Sequence, residues 1–211
     1  MTAPGNRNRQ RGSGAREVDL ILASASPRRS ELLRTLGVCF QVVAADLDET
    51  PHPGESGAAH VARLARAKAQ AVARATGTGL PVLGADTTVI GRGGRLLGKP
   101  GSATEAVAML LDLSGRTHEV CTAIALVRGA REAVLVVTTA VTFRELSAAE
   151  CRAYWRSGEP ADKAGGYALQ GLGGVFVTRI EGSCSGVIGL PVAETYTLLR
   201  QFDVPTGLTQ A

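Results

Sequence analysis

Four carboxylates and five cations of this 211-residue chain stand at the ends of apolar runs or in glycine-rich loops. The acids are Asp48, Glu49, Asp86 and Asp162; the cations are Arg28, Arg29, Lys68, Lys99 and Lys163. Carboxylates are hard oxygen ligands for Mg²⁺ or Mn²⁺. Lysine and arginine hold phosphate oxygens as negative charge builds on them. The mixture fits a polyphosphate bridged by a divalent cation. Other chemistries lack their residues. No GxxxxGK[ST] run is present, which excludes a P-loop. No GxSxG run accompanies His52, His60 or His118, which read as lying in or near loops and helix starts, so a covalent triad is not indicated. Metal-assisted attack of water on a phosphoanhydride remains.

The elements that must position these residues follow from the apolar pattern. Pro81 to Ile90 is an apolar run broken by Asp86 and two hydroxyls, read as a strand buried on both faces. A carboxylate there needs a cation, a hydrogen-bonded partner or a task. Asp19 to Ser24 predicts a strand, and Ser26-Pro27 opens a helix through Leu36, stopped by Gly37. Ser24, Arg28 and Arg29 thus lie at a helix N-terminus, where free N–H groups favour an anion and arginines are unfavourable without one; the turn is either an anion site or an ordinary solvated first turn. Cys39 to Ala44 predicts a second strand. Asp46, Asp48 and Glu49 follow it, as an acidic surface loop or as metal ligands.

Ser56 to Ala75 predicts a helix with Lys68 on its apolar face beside Leu64 and Val72. Such a lysine snorkels to the rim or points into a site; Arg63, Arg66 and Arg74 already serve the outward positions. A hairpin turn at Gly91 to Gly94 returns Lys99 beside the Asp86 strand. Further helices are predicted over Thr104 to Leu113, from the Ser147/Glu150 capping box through Trp155, and from Gly189-Leu190-Pro191 through Phe202. Strands are predicted over His118 to Val127, Glu132 to Phe143, Tyr167 to Gln170 and Val175 to Ile180. The glycine density from 165 to 189 implies close backbone approach.

Composition narrows the rest. With 45% apolar and 20% charged residues the chain has ample core. Residues 1–16 carry Arg7, Arg9, Arg11 and Arg16 but few apolar residues. They predict a disordered basic tail and not an export signal. The formal charge of +4 falls to about zero without these arginines, so no stable nucleic-acid partner is indicated. No run of eighteen apolar residues suggests a membrane span. Cys39, Cys121, Cys151 and Cys184 lack metal spacing and read as reduced thiols of a cytoplasmic protein. The expected organisation is a tail over 1–16, one two-lobed domain over 17–205 and a short tail over 206–211.

Ser24-Ala25-Ser26-Pro27-Arg28-Arg29 resembles the SxSPRR signature of the Maf family of nucleoside triphosphate pyrophosphatases. Gly84-Ala85-Asp86-Thr87, Gly98-Lys99-Pro100, Ser114-Gly115-Arg116-Thr117-His118, Asp162 to Tyr167 and Gly189-Leu190-Pro191 match it in order. The resemblance implies a mixed α/β fold, two lobes and a long curved sheet flanked by helices, akin to inosine triphosphatase. It implies hydrolysis of a nucleoside triphosphate to monophosphate and pyrophosphate with a divalent metal, Asp86 matching the proton acceptor. Arg28, Thr87 and Gln170 resemble the branch that prefers dTTP and UTP; a branch acting on 7-methyl-GTP carries a tryptophan and a glutamate instead. Gln170 offers a neutral donor and acceptor for an imide edge. The expected assignments are Asp86 as catalytic residue, Glu49 and Asp86 as metal ligands, and Ser24, Arg28, Arg29, Lys68, Thr87, Lys99, Asp162, Lys163 and Gln170 on substrate. A homodimer is left open. One departure is Gly186, where the family often has asparagine; if that residue touches substrate, base selectivity is looser here. The family is also linked with septum formation, so a nucleotide-binding cell-division regulator with little turnover stands as the alternative.

Overall fold

The computed structural model describes residues 17–209; the predicted basic tail over 1–16 lies outside them. Thirteen elements follow one another among the described residues. They are β1 (Leu20–Ala23), α1 (Pro27–Thr35), β2 (Phe40–Val42), α2 (Gly57–Thr76), β3 (Val82–Ile90), β4 (Leu96–Leu97), α3 (Ala103–Leu113), β5 (Thr117–Arg128), β6 (Arg131–Phe143), α4 (Ala148–Arg156), β7 (Val177–Glu181), α5 (Cys184–Ile188) and α6 (Val192–Gln201). The seven strands form one mixed sheet in the order β2-β1-β3-β5-β6-β7, with β4 also paired to β3. β1 runs parallel to β2 and β3; every other pairing is antiparallel. The expected mixed α/β architecture is therefore present.

Side-chain alternation along the strands builds two of the cores. Leu20, Leu22, Leu83, Ala85, Ile124 and Leu126 face α1 and α6, where Leu33, Leu198, Leu199 and Phe202 meet them. Ile21, Ala23, Val82, Ala123 and Ala125 face the other way, onto Val61, Ala65, Ala69 and Val72 of α2. The third core lies at the far end of the long strands. There Val89, Val120, Val141 and Phe143 pack with Leu110 and Leu113 of α3, Tyr154 of α4, Tyr167 and Phe176. These cores give the chain two lobes, joined by β3, β5 and β6.

The edge of β3 is paired in two separate pieces. β1 pairs with Val82 to Gly84, and β4 pairs with Val89 and Ile90. Residues Ala85 to Thr88 have no strand on that side. The sheet is thus open at the junction of the lobes, over the four residues that include Asp86.

Several local expectations differ from the structure. Tyr167 to Gln170 is not a strand; Tyr167 is buried, and the segment leads into a 3₁₀ turn over Leu172–Phe176 that delays β7 to Val177. Tertiary packing of Tyr167 overrides its strand propensity here. α5 was not expected from sequence; Ser183 caps it by accepting from Gly186 N–H. Ser26 starts α1 without a side-chain cap bond, and Ser24 Oγ accepts the Ser26 N–H at 3.2 Å instead. His118 stands close to a loop, as the second residue of β5, but its ring is buried edge-on against Phe143 and Tyr167. Residues 206–209, expected in a tail, pack against the end of α1: Thr206 is fully buried and Gly207 N–H donates to Leu36 O at 2.8 Å. The Ser147/Glu150 capping box is present as read.

Candidate active site

A cleft of about 320 Å³ opens over the gap in the β3 edge. Every residue assigned from sequence to substrate or metal lines it: Ser24, Arg28, Arg29, Glu49, Lys68, Asp86, Thr87, Lys99, Asp162, Lys163 and Gln170. Asp48 does not; it caps its own turn by accepting from Thr50 N–H at 2.9 Å. The lining also includes Tyr167, Ala168, Leu169 and Val187 to Gly189, which sequence reasoning did not assign to substrate or metal. Their sequence signals were the Asp162-to-Tyr167 motif, the glycine density and the Gly189-Leu190-Pro191 run.

At the foot of the cleft three charged groups converge. Asp86 leaves β3 on the α2 face, and Lys68 reaches it from α2. Lys68 Nζ donates to Asp86 Oδ1 at 2.6 Å and lies 2.6 Å from Glu49 Oε1. Lys68 and Asp86 are both buried, and Glu49 is half exposed. The approach of α2 that permits this is set by Gly84, on the same strand face as Asp86. A Cβ at Gly84 would stand 2.1 Å from Ala65 O and 2.8 Å from Ala69 N. Burial pushes the Glu49 carboxyl up, but the hydrogen bond and charge of Lys68, with Lys99 and Arg29 beyond, leave it below its ordinary range.

The loop that carries Glu49 is tied to α2 a second time. Glu55 accepts from Arg63 Nε and Nη2, both at 2.7 Å, and from His52 N–H at 3.1 Å, while its Oε2 lies 3.0 Å from His60 Nδ1. Arg63 Nη2 also donates to Thr50 O at 3.1 Å.

The other wall comes from the α1 N-terminus. Arg29 donates to Gly189 O at 2.9 Å, to Ser24 Oγ at 3.3 Å and to Thr87 Oγ1 at 3.4 Å. Burial lowers its pKa, and Asp86 and Glu49 offset part of that. Arg28 Nη1 reaches across the mouth to Asp162 Oδ2 at 3.3 Å. Asp162 also pairs with Lys163. Burial raises the Asp162 carboxyl, and Lys163 and Arg28 more than reverse it. Behind the cleft, His118 Nε2 lies 2.9 Å from Tyr167 Oη. Burial pushes His118 down to about 4 and Tyr167 up.

Five cations against three carboxylates make a cleft that favours an anion. Glu49 and Asp86 fit a divalent cation: two carboxylates whose oxygens already converge on one positive charge. Among the described residues no group of three or more His, Cys, Asp or Glu could hold a metal. Mg²⁺ commonly takes one or two carboxylates and completes its shell with phosphate and water.

A mixed-sheet α/β protein with a cationic, carboxylate-bearing cleft between two lobes is the class that fold and site define. The chain belongs to the Maf family, whose description, Maf-like protein, matches residues 19–202. It is 58% identical over 186 residues to the dTTP/UTP pyrophosphatase of Myxococcus xanthus, covering 88% of this chain and 93% of that protein. It is 50% identical over 208 residues to the dTTP/UTP pyrophosphatase of Saccharophagus degradans, covering 97% of each. Among solved structures, a nucleoside-triphosphatase / dITP/XTP pyrophosphatase from Mycobacterium abscessus aligns at 20% identity and a TM-score of 0.42, over 87% of this chain and 94% of that one. No helix among the described residues is long and apolar enough to cross a membrane.

Proposed function

We propose that this chain hydrolyses dTTP and UTP to the monophosphate and pyrophosphate. The observation that carries the reading is the convergence of Glu49, Lys68 and Asp86 at the foot of a cationic cleft. The two relatives named dTTP/UTP pyrophosphatase, similar over nearly the whole chain, support the choice of base. Arg28, Arg29, Lys99 and Lys163 would hold the triphosphate oxygens and neutralise the charge that builds on the leaving pyrophosphate. Lys68 fixes the Asp86 carboxylate by donating to Oδ1, so that Asp86 would be placed to orient, or take a proton from, the attacking water. Glu49 and Asp86 would hold a divalent cation, which supplies Lewis-acid polarisation of the phosphate oxygens. Gln170, exposed at the rim, offers a donor and an acceptor to the imide edge of the base. The four cysteines are unpaired thiols, which supports a reducing compartment such as the cytoplasm.

The test is product analysis with dTTP, UTP, CTP, ATP and GTP, in Mg²⁺ or Mn²⁺ and in chelator. Monophosphate and pyrophosphate are expected from dTTP and UTP, lost with chelator. Asp86→Asn is expected to lower kcat at least about a hundredfold in protein still folded at the assay temperature, with a lower unfolding midpoint because buried Lys68 loses a charge partner. Orthophosphate as the product would sink the reading.

A further inference from the structure

Thr87 on β3 and Thr122 on β5 are register partners, with hydroxyl oxygens 2.9 Å apart. Thr122 is 1% exposed, and its Oγ1 lies 2.8 Å from the carbonyl oxygen of Gly186 in α5. A carbonyl only accepts, and a threonine hydroxyl has one hydrogen. The Thr122 hydrogen is therefore committed to Gly186. The hydrogen between the two threonines has to come from Thr87. Arg29, which only donates, directs Nη2 at Thr87 Oγ1 from 3.4 Å. That occupies one of the oxygen's two lone pairs. Thr87 lines the cleft with one lone pair left and no hydrogen to give.

We propose that Thr122 is a positioning residue that fixes Thr87 as a pure acceptor and so selects a pyrimidine that presents an N–H. The inference rests on the pyrimidine triphosphate reading above. Uracil and thymine carry a hydrogen on N3; cytosine has a bare lone pair there. A hydroxyl free to rotate serves either base. A hydroxyl whose hydrogen is held from behind meets cytosine N3 lone pair to lone pair, and both groups lose their water for nothing. Discrimination then comes from a buried side chain that never touches the ligand. Gly186 takes part through its carbonyl, which any residue would supply, and it does not line the cleft. The missing asparagine side chain is thus no reason for looser selectivity by this route.

The experiment is kcat/KM for UTP and for CTP in the wild-type protein, Thr122→Val and Thr122→Ser. Valine keeps the shape and loses the hydroxyl, which frees the Thr87 hydrogen. The UTP-to-CTP ratio is expected to fall about tenfold in Thr122→Val and to hold in Thr122→Ser. A merely structural Thr122 would slow both substrates together; an unchanged ratio in Thr122→Val overturns the proposal. If Thr122→Val does not fold, N3-methyl-UTP with the wild-type protein decides: a loss of about a hundredfold or more supports the acceptor, and turnover equal to UTP overturns it. Absence of any UTP turnover by the wild-type protein would instead bring down the pyrimidine reading itself.

Discussion

Lys68 is a buried cation held by two acids, and each of the three depends on the others. A lone ammonium in that position would carry a desolvation cost of several kcal/mol. With Asp86 and Glu49 each at 2.6 Å the cluster is satisfied and carries one net negative charge. His118 shows the opposite solution to burial: it stays neutral. Burial holds it near 4, against about 6.5 for a free histidine. The unfolded chain binds the proton more readily, so His118 contributes stability that is complete above about pH 6.5 and is lost as pH falls towards 4. The loss at pH 4 is expected to be about 3 kcal/mol. Urea unfolding across pH 4 to 7 should show a steeper acid slope for the wild-type protein than for His118→Phe; parallel slopes would sink this assignment. At this scale the sequence was legible where a charge stood out of place. Lys68 on an apolar helix face and Asp86 in an apolar strand were both readable. Thr122 was not, because a hydroxyl in a strand reads as an ordinary β-former, and its role depends on a carbonyl 64 residues further on.

Among the elements, the α2–β3 contact decides whether the charged cluster forms. Gly84 lets the helix backbone come within reach of the strand, and Lys68 lies between the two residues, Ala65 and Ala69, that a Cβ would strike. Gly84→Ala is expected to cost about 1–3 kcal/mol through overpacking. It should also lower kcat by moving Lys68 off Asp86. Gly79→Ala, where nothing lies within 4 Å, is the control for both urea midpoint and turnover. Loss of stability without loss of turnover would show that helix approach does not set the cluster. The strands and long helices around this contact were readable from periodicity, caps and the glycine hairpin. In the region 167–188 only β7 was readable, as the run Val175 to Ile180; the rest was not. Its backbone follows Tyr167 into the far core, and α5 has only five residues, too few for a helical period to register.

For the whole molecule, the defining feature is where pairing stops. β1 ends at Ala23 and β4 begins opposite Ile90, and the cleft occupies the interval. Each run was recognisable as a strand. That two of them share one edge of β3 and leave a gap is a property of register, and no local pattern encodes it. The lobes contribute opposite walls, and Arg28–Asp162 is a link between them across the mouth. With Asp162 mostly exposed, the pair is worth at most about 1 kcal/mol.

If Arg28 holds phosphate as proposed, that weak link makes Asp162 an internal competitor for it. Its carboxylate occupies an arginine that a bound nucleotide would use, so every ligand enters by exchange. A triphosphate wins the exchange by weight of charge. A cleaved product, with its charge divided between two molecules, holds Arg28 less firmly, and Asp162 is at hand to reclaim it. Asp162→Asn is therefore expected to bind pyrophosphate and monophosphate more tightly, by about threefold, measured as product inhibition constants; unchanged constants would remove this role. On that reading the residue at the entrance would work on departure, easing products out of a site whose affinity is built elsewhere.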